Sequence, residues 1–342
     1  MVIEDSFYME LALEEAWNFQ LLTYPNPAVG CTVVNNENEL LAVEAHQKAG
    51  SPHAEVLALQ TAYYKLTNDE KILSLTNSHD IHDYLLKNHN GCFKNTSLHV
   101  TLEPCSHEGK TPSCARLIAA LGVKRVVIAS RDESKKASGG ENILKDGAVE
   151  IEHSSLHARS EALLTPFLKW SEEKFVFFKW AQRLDGSVDG GVISSLSSRT
   201  LVHMMRSHCD LIVVGGNTVR MDRPTLDARL CDGKAPDVLI LSRAKEFDKT
   251  IPLFNVPNRK VMIESDFEKL KNYNCIMIEG GSNMFELSKN YVDYYLSFIA
   301  PKMGGNHCFN YQKSQFKLLN AKCPLGVSEE TNDILIWMKL IK

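Results

Sequence analysis

No apolar run in this chain of 342 residues approaches the roughly 20 residues that a helix needs to span a bilayer, so nothing in it reads as a membrane span. Basic clusters are missing too: 38 Lys and Arg against 42 Asp and Glu leave a formal net charge of −4, a balance that disfavours a partner held through its phosphate backbone. The chain has no Gly-x-Gly-x-x-Gly string, which removes a Rossmann dinucleotide site from consideration. Its first residues do not read as a secretory leader. Glu4, Asp5, Glu10, Glu14 and Glu15 lie beside Tyr8, Leu11, Ala12, Ala16 and Phe19 in the pattern of an acidic amphipathic helix. Nine cysteines, an odd number spread along the chain, point to reduced thiols rather than a disulfide framework, and so to a cytoplasmic protein. The length leads one to expect two domains, each with its own core.

Against these absences stands one chemically loaded stretch, Ser51-Pro52-His53-Ala54-Glu55, read together with Glu103-Pro104-Cys105 and Thr111-Pro112-Ser113-Cys114. One imidazole and two thiolates hold Zn²⁺ in a tetrahedral frame and leave the fourth corner for water, whose pKa falls towards neutrality. Zinc deaminases add a Glu that is not a ligand and that carries protons to the departing ammonia. His53, Cys105 and Cys114 are therefore the candidate ligands, and Glu55 the candidate proton shuttle. A structural zinc normally closes with four protein ligands. Only three convincing ones occur here, so a zinc clamp in a binding module is the weaker reading.

Both ligand stretches have the form of helix starts. Ser51 reads as an N-cap and Pro52 as the first helical residue before the apolar periodicity of Val56, Leu59 and Tyr63; Thr111 and Pro112 repeat this before Leu117, Ile118 and Leu121, with Gly122 as the stop. The ligands are then expected in the first turns of two helices, where the positive dipole end favours thiolate over thiol.

Taken in order, the first helix leads to Thr23-Tyr24-Pro25-Asn26-Pro27, a rigid turn that either presents the Asn26 amide to a ligand or closes an Asx turn. Strands are expected at 29–34, with Cys31 as a buried strand residue, and at 40–45, ending at His46, which either lines the same pocket or is structural. A helix over 52–65 and a polar insertion reaching to 97 follow, with a short helix around Ile81, Tyr84 and Leu85. His79, His82 and His89 in that insertion lack the Cys or carboxylate pattern that completes a second metal set. A strand at 97–102 delivers Cys105 at its carboxyl end, where α/β sheets place ligands, and Glu103, just before Pro104, is expected to anchor backbone rather than react. Strands at 125–129 and 148–151 close a first domain, 1–153.

The second domain, 154–342, begins with a connecting helix at 160–170 and a strand at 174–181; strands recur at 211–214, 238–241, 260–263, 275–278 and 296–299. Helices between several of them argue an α/β architecture with a predominantly parallel sheet. Gly215-Gly216-Asn217-Thr218 and Glu279-Gly280-Gly281-Ser282-Asn283 each follow a strand and open a helix, as a phosphate cradle or simply a tight turn.

Most zinc deaminases carry Pro-Cys-x-x-Cys; here residues 106–113 separate the two thiols. The string Thr101-Leu102-Glu103-Pro104-Cys105-Ser106-His107-Glu108-Gly109-Lys110-Thr111-Pro112-Ser113-Cys114 resembles the deaminase half of the bifunctional deaminase-reductases of riboflavin biosynthesis. Lys179-Trp180-Ala181-Gln182-Arg183-Leu184-Asp185-Gly186, Thr218-Val219-Arg220-Met221-Asp222-Arg223-Pro224-Thr225-Leu226 and Glu279-Gly280-Gly281, in that order, resemble the reductase half. Apart from the insertion before Ser97, the resemblance covers nearly the whole chain.

It implies a cytidine-deaminase-like three-layer domain followed by a dihydrofolate-reductase-like α/β domain, with zinc and NADPH as cofactors. The implied reactions are hydrolysis of the exocyclic amine of a diaminopyrimidinone ribosylamino phosphate, then reduction of its ribosyl group to ribityl. By the same resemblance His53, Cys105 and Cys114 hold zinc, Glu55 shuttles protons, and Asn26, His46 and Lys110 contact the pyrimidine or its ribose phosphate. Arg206, Leu226, Arg229 and Glu279 match positions that meet the substrate of the reduction, and Gln182, Ser194, Thr218, Asp222, Gly281, Ser282 and Asn283 match positions that meet NADPH. The expected partner is a small phosphorylated pyrimidine, with no nucleic acid and no membrane, and the expected assembly is a homo-oligomer. Two positions depart from the family's usual pattern: Arg183 stands where it has Ser, and Arg223 where it has Asp. A rival reading, a deaminase acting on nucleic acid or another nucleotide beside a degenerate reductase, needs a basic surface that the acidic balance disfavours.

Overall fold

Alternating apolar strands gather into two separate sheets, one in each half of the chain. The computed structural model describes residues 4–109, 111–132, 138–323 and 333–341, and its internal contacts divide the chain into two units, Met1–Phe167 and Leu168–Lys342.

The first unit runs α1 (Asp5–Trp17), β1 (Gly30–Asn35), β2 (Leu40–Ala45), α2 (Ala54–Thr67), α3 (Ser78–Asn88), β3 (Thr96–Leu102), α4 (Cys114–Ala120), β4 (Arg125–Ser130), α5 (Gly140–Asp146) and β5 (Glu150–His153), and α6 (His157–Glu172) begins in it. Its sheet has the order β2-β1-β3-β4-β5, with β1 antiparallel to both neighbours and β3, β4 and β5 parallel. Strand alternation sends Cys31, Val33, Leu98, Val100, Val126 and Ile128 into one buried layer with Val56 and Leu59 of α2 and Leu117 and Ile118 of α4. Each such side chain contributes about 1.5–3 kcal/mol when fully buried. The opposite face carries α1: Thr32 Oγ1 donates to the Tyr8 carbonyl at 3.4 Å, and His99 Nε2 lies 2.7 Å from Asp5 Oδ1. This is the three-layer arrangement expected. A Cβ on Gly30 would meet the Ala12 carbonyl oxygen at 1.9 Å, so only glycine lets α1 pack this close to β1.

The second unit contains β6 (Phe175–Arg183), α7 (Leu196–His208), β7 (Leu211–Gly215), α8 (Gly216–Asp222), β8 (Asp237–Leu241), β9 (Val261–Glu264), β10 (Cys275–Glu279), α9 (Ser282–Ser288), β11 (Tyr294–Ala300), β12 (Gln315–Lys322) and β13 (Ile334–Ile341). Its sheet order is β12-β13-β11-β6-β10-β7-β8-β9. Pairing is parallel from β11 through β9 and antiparallel at β13 and β12, so the predominantly parallel expectation holds. The β12 and β13 pair was not foreseen; β12 buries only Asn320, which leaves no apolar run to mark it. No helix among the described residues is long and apolar enough to cross a membrane.

Both ligand-bearing helices start later than their caps suggested. In α2 the N-cap is His53, in extended conformation and without a side-chain capping bond; Ser51 Oγ donates instead to the Lys48 carbonyl at 2.7 Å. In α4 the N-cap is Ser113, whose Oγ accepts from the Arg116 N–H at 3.3 Å. Thr111 is left free to meet His53.

Candidate functional site

The predicted metal set comes from two helix tips and the end of a strand. His53 is the residue before α2, Cys114 is the first of α4, and Cys105 follows β3. His53 Nδ1 lies 3.7 Å from Cys105 Sγ and 3.5 Å from Cys114 Sγ, and the three donor atoms all fall within 4.8 Å of one another. A tetrahedral zinc with sulfur at about 2.3 Å and nitrogen at about 2.0–2.1 Å sets such donors about 3.5–3.8 Å apart. The donor set and its spacing therefore fit zinc. The other ring nitrogen, Nε2, is 3.3 Å from Thr111 Oγ1, which fixes the ring with Nδ1 towards the sulfurs.

The two sulfurs are electrostatically unequal. The hydrogen bond with Cys114, together with the His53 ring, draws the Cys105 thiol down to about 4, and that same bond pushes Cys114 up. Glu55, the second residue of α2, is buried beside them. Burial drives its carboxyl up to about 7, with the His53 ring pulling the other way. A carboxyl that exchanges its proton near neutrality is suited to take and return protons.

His46 and Asn26 join this group. The His46 ring packs edge-on against that of His53 with centroids 5.4 Å apart. Its Nδ1 is 3.1 Å from the Pro52 carbonyl and its Nε2 3.2 Å from Asn26 Nδ2. Burial lowers its pKa to about 4; the neutral ring then donates through Nδ1 and accepts from the Asn26 amide. The Asn26 side chain thus serves His46 rather than an Asx turn. Glu103 acts as an anchor: its carboxylate accepts from the backbone N–H of Asp132 (3.2 Å), Gly139 (3.1 Å) and Glu141 (3.0 Å). Lys110 lies outside the described residues. His79, His82 and His89 do not gather; among the described residues the one cluster with metal-ligand spacing is His53, Cys105 and Cys114.

In the second unit a cavity of about 320 Å³ is lined by Lys179, Ser194, His203 and Arg206, with Gly191 and Val192 on one wall. Arg206 forms a bidentate pair with Glu279 at 2.9 and 3.0 Å, and its Nη1 reaches the Asp227 carbonyl at 3.4 Å. Arg229 Nη1 bonds the Asp227 carboxylate at 2.6 Å. Leu226 holds a left-handed backbone, φ 54°, and its carbonyl accepts from Arg259 at 2.7 Å. Burial would raise the Glu279 carboxyl, but Arg206 and Lys179 hold it low, while burial lowers Lys179. Burial and the Arg206 charge lower His203 to about 4.

Thr218 and Asp222 sit on α8, and Gly281, Ser282 and Asn283 open α9. Because β7 and β10 are parallel neighbours, these helices start at one sheet edge; a Cβ on Gly215 would lie 3.4 Å from Met284 Cε. Gln182 Oε1 accepts from Trp180 Nε1 at 2.8 Å and from the Tyr311 hydroxyl at 2.5 Å, and the neighbouring Asn310 N–H donates to Ser282 Oγ at 2.8 Å. Sequence reasoning gave no role to Lys179, His203 or Asp227. A lysine inside the apolar run Phe177-Phe178-Lys179-Trp180 and a histidine one helical turn before Arg206 were the available signals.

Comparison with known proteins supplies the context. A family model described as the zinc-binding region of cytidine and deoxycytidylate deaminases matches residues 2–130, and one described as the RibD C-terminal domain matches 174–324. The riboflavin biosynthesis protein RibD of Aquifex aeolicus is 30% identical over 341 residues, covering 88% of this chain and 88% of its own. The chain belongs to the RibD family. RibD of Escherichia coli is 31% identical over 237 residues, 66% of this chain and 56% of its own. The structure of Acinetobacter baumannii RibD is 26% identical, with 99% of both chains covered and a TM-score of 0.61. A Thermotoga maritima protein described as a diaminohydroxyphosphoribosylaminopyrimidine deaminase/5-amino-6-(5-phosphoribosylamino)uracil reductase shares the fold at 24% identity and a TM-score of 0.63, covering 98% and 99% of the two chains.

Within this chain the two departures have structural partners. Arg223, in left-handed conformation at the end of α8, donates to Asp248 at 2.7 Å and to Thr250 Oγ1 at 2.6 Å. Arg183 donates to the carbonyls of Asp189 and Gly190.

Proposed function

We infer that the first unit hydrolyses the exocyclic amine of a diaminopyrimidinone ribosylamino phosphate, and that the second reduces the ribosyl group of the product to ribityl with hydride from NADPH. The observation that carries this reading is the His53, Cys105 and Cys114 cluster with Glu55 buried beside it, in a chain of the RibD family.

His53, Cys105 and Cys114 are the residues that would hold zinc. When bound, the metal supplies the Lewis acidity that makes water nucleophilic near pH 7. Glu55, buried in the first turn of α2, is the group that would accept a proton and return it to the leaving amine. Asn26 and neutral His46, hydrogen-bonded to each other, present amide and ring to the pyrimidine, and Lys110 meets the ribose phosphate as a point charge.

In the second unit Arg206, Leu226, Arg229 and Glu279 contact the phosphorylated sugar. Thr218, Asp222 and the start of α9 at Gly281, Ser282 and Asn283 hold NADPH, together with Gln182 and with Ser194 on the cavity wall. Positioning of the nicotinamide against the sugar carbon carries much of this step.

The test is a two-stage assay on the full chain. With the diamino substrate and NADPH, ammonia release should precede loss of nicotinamide absorbance; with the already deaminated intermediate, absorbance should fall with no ammonia released. Ammonia release without NADPH oxidation on either compound would leave the second activity unsupported, and no ammonia at all would end the first.

A further inference from the structure

Arg183 is the last residue of β6 and is buried, with 6% of its surface exposed. Strand alternation puts it on the face of Lys179 and Ala181, which line the cavity. A guanidinium this deeply buried needs oxygen partners. It finds them in two successive carbonyls: Nη1 donates to Asp189, and Nη2 donates to Gly190 at 3.0 Å. Those residues lead into 191–194, which forms one wall of the cavity. The far end of the wall is held too, since Lys302 Nζ donates to the Ile193 carbonyl at 3.1 Å.

Between the two cations the wall has neither helix nor strand. Gly190 and Gly191 both take positive φ, 81° and 92°, and glycine is the residue that loses most freedom when it is ordered. Such a segment keeps one conformation only if something outside it supplies the bonds. A serine at position 183 would be too short to reach either carbonyl.

We propose that Arg183 is a positioning residue for the reduction: its hold on Asp189 and Gly190 fixes the 190–194 wall against which the phosphorylated sugar packs beside Arg206. The proposal rests on the reductase reading of the second unit. It also accounts for an arginine where the family usually has serine.

The test compares Arg183→Ser and Arg183→Lys with the parent in the full chain. Deaminase turnover reports folding of the first unit, the melting temperature that of the whole. In Arg183→Ser, amide exchange should rise within 187–194, and the KM for the deaminated sugar phosphate should rise about tenfold or more. Arg183→Lys, which keeps a cation able to reach one carbonyl, should recover part of both effects. Unchanged exchange in a folded Arg183→Ser would overturn the proposal. So would faster exchange with an unchanged sugar KM, which would make the contact merely structural. Absence of NADPH oxidation by the parent chain would instead count against the reductase reading, and the exchange measurement would still show whether Arg183 holds the wall.

Discussion

Glu55 and the three donors were legible one residue at a time, because a zinc deaminase needs a particular inventory, His, Cys, Cys and a free Glu, and each member occurs in a recognisable local string. Their partners were not. That Thr111 bonds His53 Nε2, or that Asn26 bonds His46, depends on how far-apart loops meet, which no local pattern encodes. Glu103 lies between: its place before Pro104 suggested anchoring, and its three backbone bonds show what it anchors. At this scale the account predicts that Glu55→Gln keeps its zinc, since Glu55 is no ligand, yet loses deamination by at least about a hundredfold, the usual weight of a positioned proton carrier. Metal analysis and ammonia release on the same sample check both halves. Turnover near the parent rate would remove Glu55 from the proton path.

Among elements, one carboxylate ties α1 to two strands of the sheet at once. Asp5 accepts from Arg125 at 2.7 and 2.8 Å and lies 2.7 Å from His99 Nε2, bridging α1 to β3 and β4. Burial would raise its pKa, but the bonds from Arg125 and His99 outweigh this and hold it below the ordinary value. A depressed carboxylate stabilises the fold above its unfolded pKa, and that contribution is lost as pH falls through the folded value. Asp5→Asn should therefore cost about 0.5–1 kcal/mol at pH 7, an exposed-pair magnitude, and the gap to the parent should close as the pH is lowered into the acid range. Denaturant titrations at pH 7 and at pH 3 would show it; a constant gap would contradict the charge assignment. The elements themselves were mostly readable, because buried strands such as β1 and β10 are short apolar runs and α2 has a clear period. The starts of α2 and α4 were each misplaced by two residues, since Ser51 and Thr111 are good caps by type but are bonded elsewhere. The edge strand β12 escaped because seven of its eight residues are not buried.

At the scale of the whole molecule, the order of the two halves follows from motif order along the chain, but the sheet order does not. β6 comes first in the second unit and yet lies between β11 and β10; strand neighbours far apart in sequence are chosen by which faces pack, not by local propensity. What the two units share is a pattern in which the candidate site residues sit where strands hand over to helices: Cys105 after β3, Thr218 after β7, Gly281 after β10. The central claim is narrower. One imidazole and two sulfurs from two helix tips and a strand end hold a single zinc and leave it a corner that no side chain fills. X-ray absorption at the zinc edge of the purified full chain tests this most directly. The account predicts two sulfur neighbours at about 2.3 Å, one imidazole nitrogen at about 2.0–2.1 Å and no further protein donor; a third sulfur, a second imidazole, or a protein that binds no zinc would contradict it.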